Sequence, residues 1–172
     1  MRKYLDIHGK NLYNKYHKKL GFIDNGIIDY KSRKITSYIV SDGGIVTKVY
    51  IAPLSNIEYK KDEIVTGSSL IPCKKKLIKK NYRYTVEGIL GREVVNEDGR
   101  IVGEVEDVIL NHITGDIKAI ICKRGFFDDL VQGKKIMLIN DNLEIKEDKI
   151  IASKSSVEII SEISFNNDFE EM

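Results

Sequence analysis

Long apolar runs are missing from this chain of 172 residues. No stretch approaches the roughly 18 consecutive apolar residues that a membrane-crossing helix needs. The opening "MRKYLDIHGKNLY" is basic and has no apolar core, so it does not read as a secretory signal. Cysteine is scarce too. Cys73 and Cys122 lie far apart without CxxC spacing, which excludes a disulfide scaffold and fits a reducing, cytoplasmic setting. The three histidines, His8, His17 and His112, have no metal-ligand spacing and no cysteine beside them. Neither G-x-S-x-G, nor a Walker pattern, nor a phosphate-cradling glycine loop occurs. No metal, cofactor, catalytic group or small-molecule substrate is therefore expected.

What the chain does have is a repeat. "KLGFIDNGIIDYKSRKITSYIV" at 19–40 returns as "IVGEVEDVILNHITGDIKAIIC" at 101–122. Gly9, Gly21, Ile27, Ile35 and Ile39 fall on Gly91, Gly103, Ile109, Ile117 and Ile121 at one constant offset of 82 residues. Self-similarity of this kind marks two copies of one structural unit. Each copy spans about 65 residues, a size at which a single core is marginal. The copies are thus expected to pack on each other or on a second chain.

The pattern inside each copy is that of short strands. "RIVGEVEDVIL" places Ile101, Gly103 and Val105 on one face and Glu104 and Glu106 on the other, which is the period of a half-buried strand. The alternation breaks at Val108, Ile109 and Leu110, so a bulge or bend is expected near Asp107. Gly21 and Gly103 inside strands mark curvature or close backbone approach. "ITGD" supplies a turn and "IKAIIC" the return strand. "KKIMLI", "NLEI" and "KIIA" follow, and the first copy repeats the order. With no helical periodicity, these features predict an all-β fold.

Charge is uneven. Residues 1–86 carry 18 Lys and Arg against 7 Asp and Glu, and residues 87–172 carry 10 against 19. Such halves can pair with each other, pair head to tail with a copy, or offer a basic face to an anionic partner.

The second copy resembles the PRC-barrel family, named for the H subunit of the photosynthetic reaction centre. The resemblance rests on Gly91, Asp98-Gly99, Gly103-Glu104-Val105, Asp107-Val108, Thr114-Gly115, Gly125-Phe126-Phe127 and the stretch 135–139. The first copy matches more loosely, through Gly9, Gly21, Gly43-Gly44 and "IAPLSNI" at 51–57. Two departures stand out: Asn140 replaces the usual Pro, and Asn25 sits at the Asp107 position. The resemblance implies two tandem small antiparallel β-barrels, at 4–66 and 86–152, joined by a basic linker at 67–85 and followed by an acidic tail at 153–172. It implies an interaction module without a catalytic constellation. The family occurs in ribosome-maturation factors, in the cytoplasmic part of reaction-centre subunits and in small stand-alone proteins of Gram-positive bacteria.

Two sets of residues are candidates for binding. Lys74, Lys75, Lys76, Lys79, Lys80 and Arg83 surround Tyr82 and Tyr84. The cations would neutralise phosphates and the rings would stack on unpaired bases. The bland alternative is a solvated tract docked on the acidic copy. The second set is the loop "GFFDDLVQGK" at 125–134, five residues longer than its counterpart in the first copy. Phe126, Phe127, Leu130 and Val131 are unusual in a surface connection. They form either a satellite cluster on the protein's own barrel or an exposed docking patch for a partner or a second copy. Glu104, Glu106 and Asp107, and the pair Asp128-Asp129, are read as solvated carboxylates rather than as an acid–base or Ca²⁺ site.

The expected function is that of a non-enzymatic adaptor. It would bind a protein partner within a ribonucleoprotein or membrane-associated assembly. The alternative is binding of RNA or an anionic surface through the basic linker.

Overall fold

The computed structural model describes residues 1–61, 63–123, 135–138, 143–146, 149–152 and 157–158. The longer strands fall where apolar alternation places them. They are β1 (Arg2–Lys3), β2 (Asn11–Asn14), β3 (Lys19–Asp29), β4 (Lys34–Ser41), β5 (Val49–Pro53), β6 (Ile57–Tyr59), β7 (Ile64–Thr66) and β8 (Ile71–Cys73). Two short helices follow, α1 (Lys75–Lys80) and α2 (Val86–Ile89). The second half contains β9 (Glu93–Asn96), β10 (Ile101–Leu110), β11 (Ile117–Lys123), β12 (Lys135–Leu138), β13 (Leu143–Ile145), β14 (Ile150–Ala152) and β15 (Val157–Glu158).

The strands form two sheets with one order of neighbours. The first runs β6-β7-β2-β3-β4-β5-β8, and the second runs β13-β14-β9-β10-β11-β12-β15. Neither is wholly antiparallel, contrary to the expectation from sequence. Leu12 pairs with Ile64 in parallel, and Val94 with Ile150 likewise. The reason lies in the 3₁₀ turn Leu54–Asn56. It carries the chain from β5 into β6 without the reversal that a hairpin imposes, so β7 arrives alongside β2 in the same direction.

The bends expected from sequence are present. Pairing shifts register between Val105 and Asp107 in β10 and between Ile23 and Asn25 in β3. Gly21 and Gly103 allow close approach. A Cβ on Gly21 would lie 2.4 Å from the Ser41 carbonyl oxygen, and one on Gly103 2.7 Å from that of Lys123. After the bulge at Glu106, Asp107 faces away from the barrel core, beside Ile121, while Val108 faces inward opposite Ile120. Four consecutive residues, Asp107 to Leu110, are buried because both faces of the strand are covered there.

The cover comes from the other half. β1 pairs with the end of β10, Arg2 opposite Leu110 and Lys3 opposite Ile109. Thr85 bridges Ile27 of β3 in the same way. The two β-turns also meet, through Ile35 N to Gly115 O (2.8 Å) and Ile117 N to Arg33 O (3.0 Å). Lys34 and Asp116 form an ion pair across this junction at 2.9 Å. Each contact maps onto its mate at the offset of 82 residues, so the halves are related by an approximate two-fold axis. One hydrophobic cluster runs through both, taking in Leu12, Ile23 and Val40 on one side and Val94, Val105 and Ile120 on the other. Packing of the halves on each other thus relieves the marginal core of each.

Ile71–Cys73, expected in the linker, adds an edge strand to β5, Val49 opposite Cys73. Extended chain satisfies the open edge of β5, and Pro72 is tolerated there because an edge strand has one unpaired side.

Candidate interaction surface

The basic tract begins at the end of β8. Lys74 is extended, and the chain then turns into α1, which ends at Asn81. Asn81 closes the helix by donating its backbone N–H to the carbonyls of Leu77 (3.1 Å) and Ile78 (3.0 Å) and its side-chain amide to that of Leu77 (3.0 Å). Lys79 and Lys80 lie in the last turn, where cations complement the helix dipole. Lys74, Lys75, Lys76, Lys79 and Lys80 all point to solvent. Leu77 and Ile78 turn toward the outer face of the first sheet. Together with Ile27, Ile39, Ile51 and Cys73 they line an apolar cleft of about 340 Å³. A lysine-rimmed apolar cleft can take a short segment carrying both apolar and acidic side chains.

The aromatic part of the tract is used differently. Tyr84 packs against Tyr30 with ring centroids 5.3 Å apart, and Arg83 lies 5.8 Å above the Tyr84 ring. The Arg83 carbonyl accepts from the Tyr30 hydroxyl and from Arg92 Nη2 (2.8 Å). These residues are tied into the joint between the halves. Tyr82 is 48% exposed, and its hydroxyl donates to the Glu87 carbonyl at 3.2 Å. Of the eight residues proposed for nucleic acid, the five lysines, Tyr82 and Arg83 stand at the surface, Arg83 being held to the joint through its carbonyl, and Tyr84 is partly buried.

The loop at 125–134, with Phe126, Phe127, Leu130 and Val131, lies outside the described residues, as do Asp128 and Asp129. Its counterpart in the first half is described. Between β4 and β5, Ile45 and Val46 project into solvent. Asp42 Oδ1 holds the loop by accepting from Gly44 N (3.1 Å) and Lys48 N (2.9 Å). Sequence reasoning passed over this loop, although "GGIVTK" carries the same signal of apolar residues in a connection.

Asp107 departs from the expectation of a solvated carboxylate. It is 2% exposed, because residues 2–6 cover the outer face of β10. Burial pushes its pKa up to about 6, against hydrogen bonds from Val108 N and Leu5 N that pull it down. Glu104 is half exposed and lies 3.9 Å from Lys123. The histidines are scattered. His8 lies 3.4 Å from Glu87 and His17 2.8 Å from Glu63. His112 stands edge-on to Tyr59 at 4.6 Å, and burial lowers its pKa. Among the described residues no three His, Cys, Asp or Glu side chains gather as a metal site would require. No helix among them is long and apolar enough to cross a membrane.

These features define an all-β protein with a strongly curved, bulged sheet in each half and a basic edge. Residues 83–158 match the family model of the PRC-barrel domain, and the chain therefore carries a PRC-barrel domain in its second half. No curated protein matches the chain.

Proposed function

We propose that the chain is a non-enzymatic, cytoplasmic adaptor built of two tandem PRC-type barrels, 4–66 and 86–152. In this reading the first half is a diverged copy of the domain in the second. The shared strand order and the paired contacts at one offset support it. The adaptor binds a protein partner, and the observation that carries this is the apolar cleft under α1. Leu77 remains 55% exposed above Ile27 and Ile51, with lysines on both sides. Apolar surface left open beside a row of like charges favours a partner that brings both apolar and acidic groups. RNA is a poorer fit, because Tyr82 is the one ring of the tract not packed into the joint between the halves.

Immobilised wild-type chain and a Leu77→Asp variant test this on lysate with and without nuclease treatment. A protein retained by wild type and lost from Leu77→Asp, with the melting temperature unchanged, is the expected result. Equal retention by both overturns the cleft as the binding site. Retention that vanishes on nuclease treatment assigns the basic tract to nucleic acid instead.

A further inference from the structure

We propose that the loop between β4 and β5 is an insertion finger that docks the chain on an anionic lipid bilayer. Ile45 is fully exposed and Val46 is 81% exposed at its tip. Two neighbouring β-branched side chains in water are unfavourable unless something covers them. They are held out by a built turn. Asp42 N donates to Lys48 O (3.2 Å), Asp42 Oδ1 accepts from Gly44 N and Lys48 N, and Thr47 Oγ1 donates to Gly44 O (3.1 Å). Gly43 supplies the left-handed backbone, φ +70°, that the turn requires.

Charge around the finger identifies the occupant. Lys48 stands at its base. Val49 pairs with Cys73, so β8 leaves the sheet at the finger's end and runs on through Lys74 into Lys75 and Lys76 of α1. No Asp or Glu occurs between Asp42 and Glu58, or between Glu63 and Glu87. Asp42 is the sole carboxylate of the loop, and the hydrogen bonds it accepts from Gly44 N and Lys48 N hold its pKa below the usual carboxylate range. A convex apolar tip flanked by lysines matches a bilayer with anionic headgroups. The tip enters the acyl boundary while the ammonium groups stay at the phosphates. The lysines of α1 flank both the finger and the cleft, but Ile45 and Val46 do not line the cleft, so the variants at the tip and at Leu77 let either proposal fail without the other.

The full chain is sedimented with phosphatidylcholine vesicles and with vesicles that also contain phosphatidylglycerol, at low and high salt. Wild type should pellet with the anionic vesicles at low salt alone. An Ile45→Ser, Val46→Ser double variant should lose about tenfold in partitioning with its melting temperature unchanged. Lys74→Glu with Lys75→Glu should do the same. The chain has no tryptophan, so Val46→Trp gives a clean probe, and its emission should shift to the blue on anionic vesicles. Failure of wild type to pellet at low salt overturns the proposal. Unchanged partitioning of the double variant, or an unshifted Trp emission, reduces the contact to lysine electrostatics and overturns the finger.

Discussion

Asn25 and Asp107 hold the same bond from opposite halves of the molecule. Asn25 Oδ1 accepts from the backbone N–H of Glu87 at 3.2 Å, and Asp107 Oδ1 accepts from that of Leu5 at 3.3 Å. Each also accepts from its own following residue, Gly26 N at 2.8 Å and Val108 N at 2.7 Å. Each half thus lends its entry segment to the outer face of the other. The difference between amide and carboxylate follows from what faces each residue. Asn25 Nδ2 donates to Glu87 Oε2 (3.0 Å) and Thr85 Oγ1 (3.2 Å). At the equivalent places opposite Asp107 stand Leu5 and Lys3.

Replacing Asp107 by Asn should stabilise the protein at neutral pH. The folded-state pKa of Asp107, about 6, exceeds its ordinary 3.8. Between these values the folded state holds a proton that the unfolded state has lost. Stability therefore falls as pH rises through this window, and the full penalty persists above it. Removing the charge should recover about 2–3 kcal/mol at most. Urea denaturation across this pH range should show a gain near pH 7 that disappears toward pH 4. A loss of stability at pH 7 would mean that the charge is balanced after all.

Asn25→Asp should do the reverse. It would place a second carboxylate against Glu87 Oε2, now 3.0 Å from the amide nitrogen. Two carboxylates that close cannot both ionise cheaply. The cost is on the order of 2–4 kcal/mol at neutral pH, shrinking in acid as the pair takes up a proton. Parallel denaturation of this variant at pH 5 and pH 7.5 checks it, and an equal loss at both would point to packing instead.

Tyr4 separates ring from hydroxyl. The side chain is fully buried in the shared core, and its hydroxyl has no hydrogen-bond partner among the described residues. Burial raises its pKa, with Glu87 adding to the effect. Tyr4→Phe should be neutral or stabilising, because it removes a desolvated polar group. Tyr4→Ala should cost about 3–5 kcal/mol by opening a cavity. Calorimetric melting of the two variants distinguishes these outcomes.

Gly115 should not tolerate a side chain. Its φ is +78°, and a Cβ there would lie 2.1 Å from the Ile35 carbonyl oxygen, in the other half. Gly115→Ala should destabilise by several kcal/mol, well beyond the roughly 1 kcal/mol of the left-handed backbone alone. It should also loosen the junction first, seen as faster amide exchange at Ile35 and Ile117. A small effect confined to Thr114–Asp116 would show that the turns part without consequence.

The sequence determined the strands, their bends and the repeat. Alternation of polar and apolar residues specifies a strand locally, and the break after Asp107 marks the bulge because a strand with one wet face cannot carry three apolar neighbours in a row. Asn25 was visible as a departure, but its reason was not, because Glu87 and Thr85 lie some 60 residues away. Tertiary structure alone decided that residues 2–6 cover β10, which turns Asp107 from a surface carboxylate into a buried one. The same holds at the basic tract, where a row of lysines looks alike in any setting. Only the fold ties Tyr84 and the Arg83 carbonyl into the joint, sets Leu77 over an apolar cleft, and brings the start of the lysine tract to Val49, where the loop carrying Ile45 and Val46 ends. Local pattern encodes which face of a strand is apolar. What comes to cover that face depends on chain brought from far along the sequence, and burial and charge at the site follow from that.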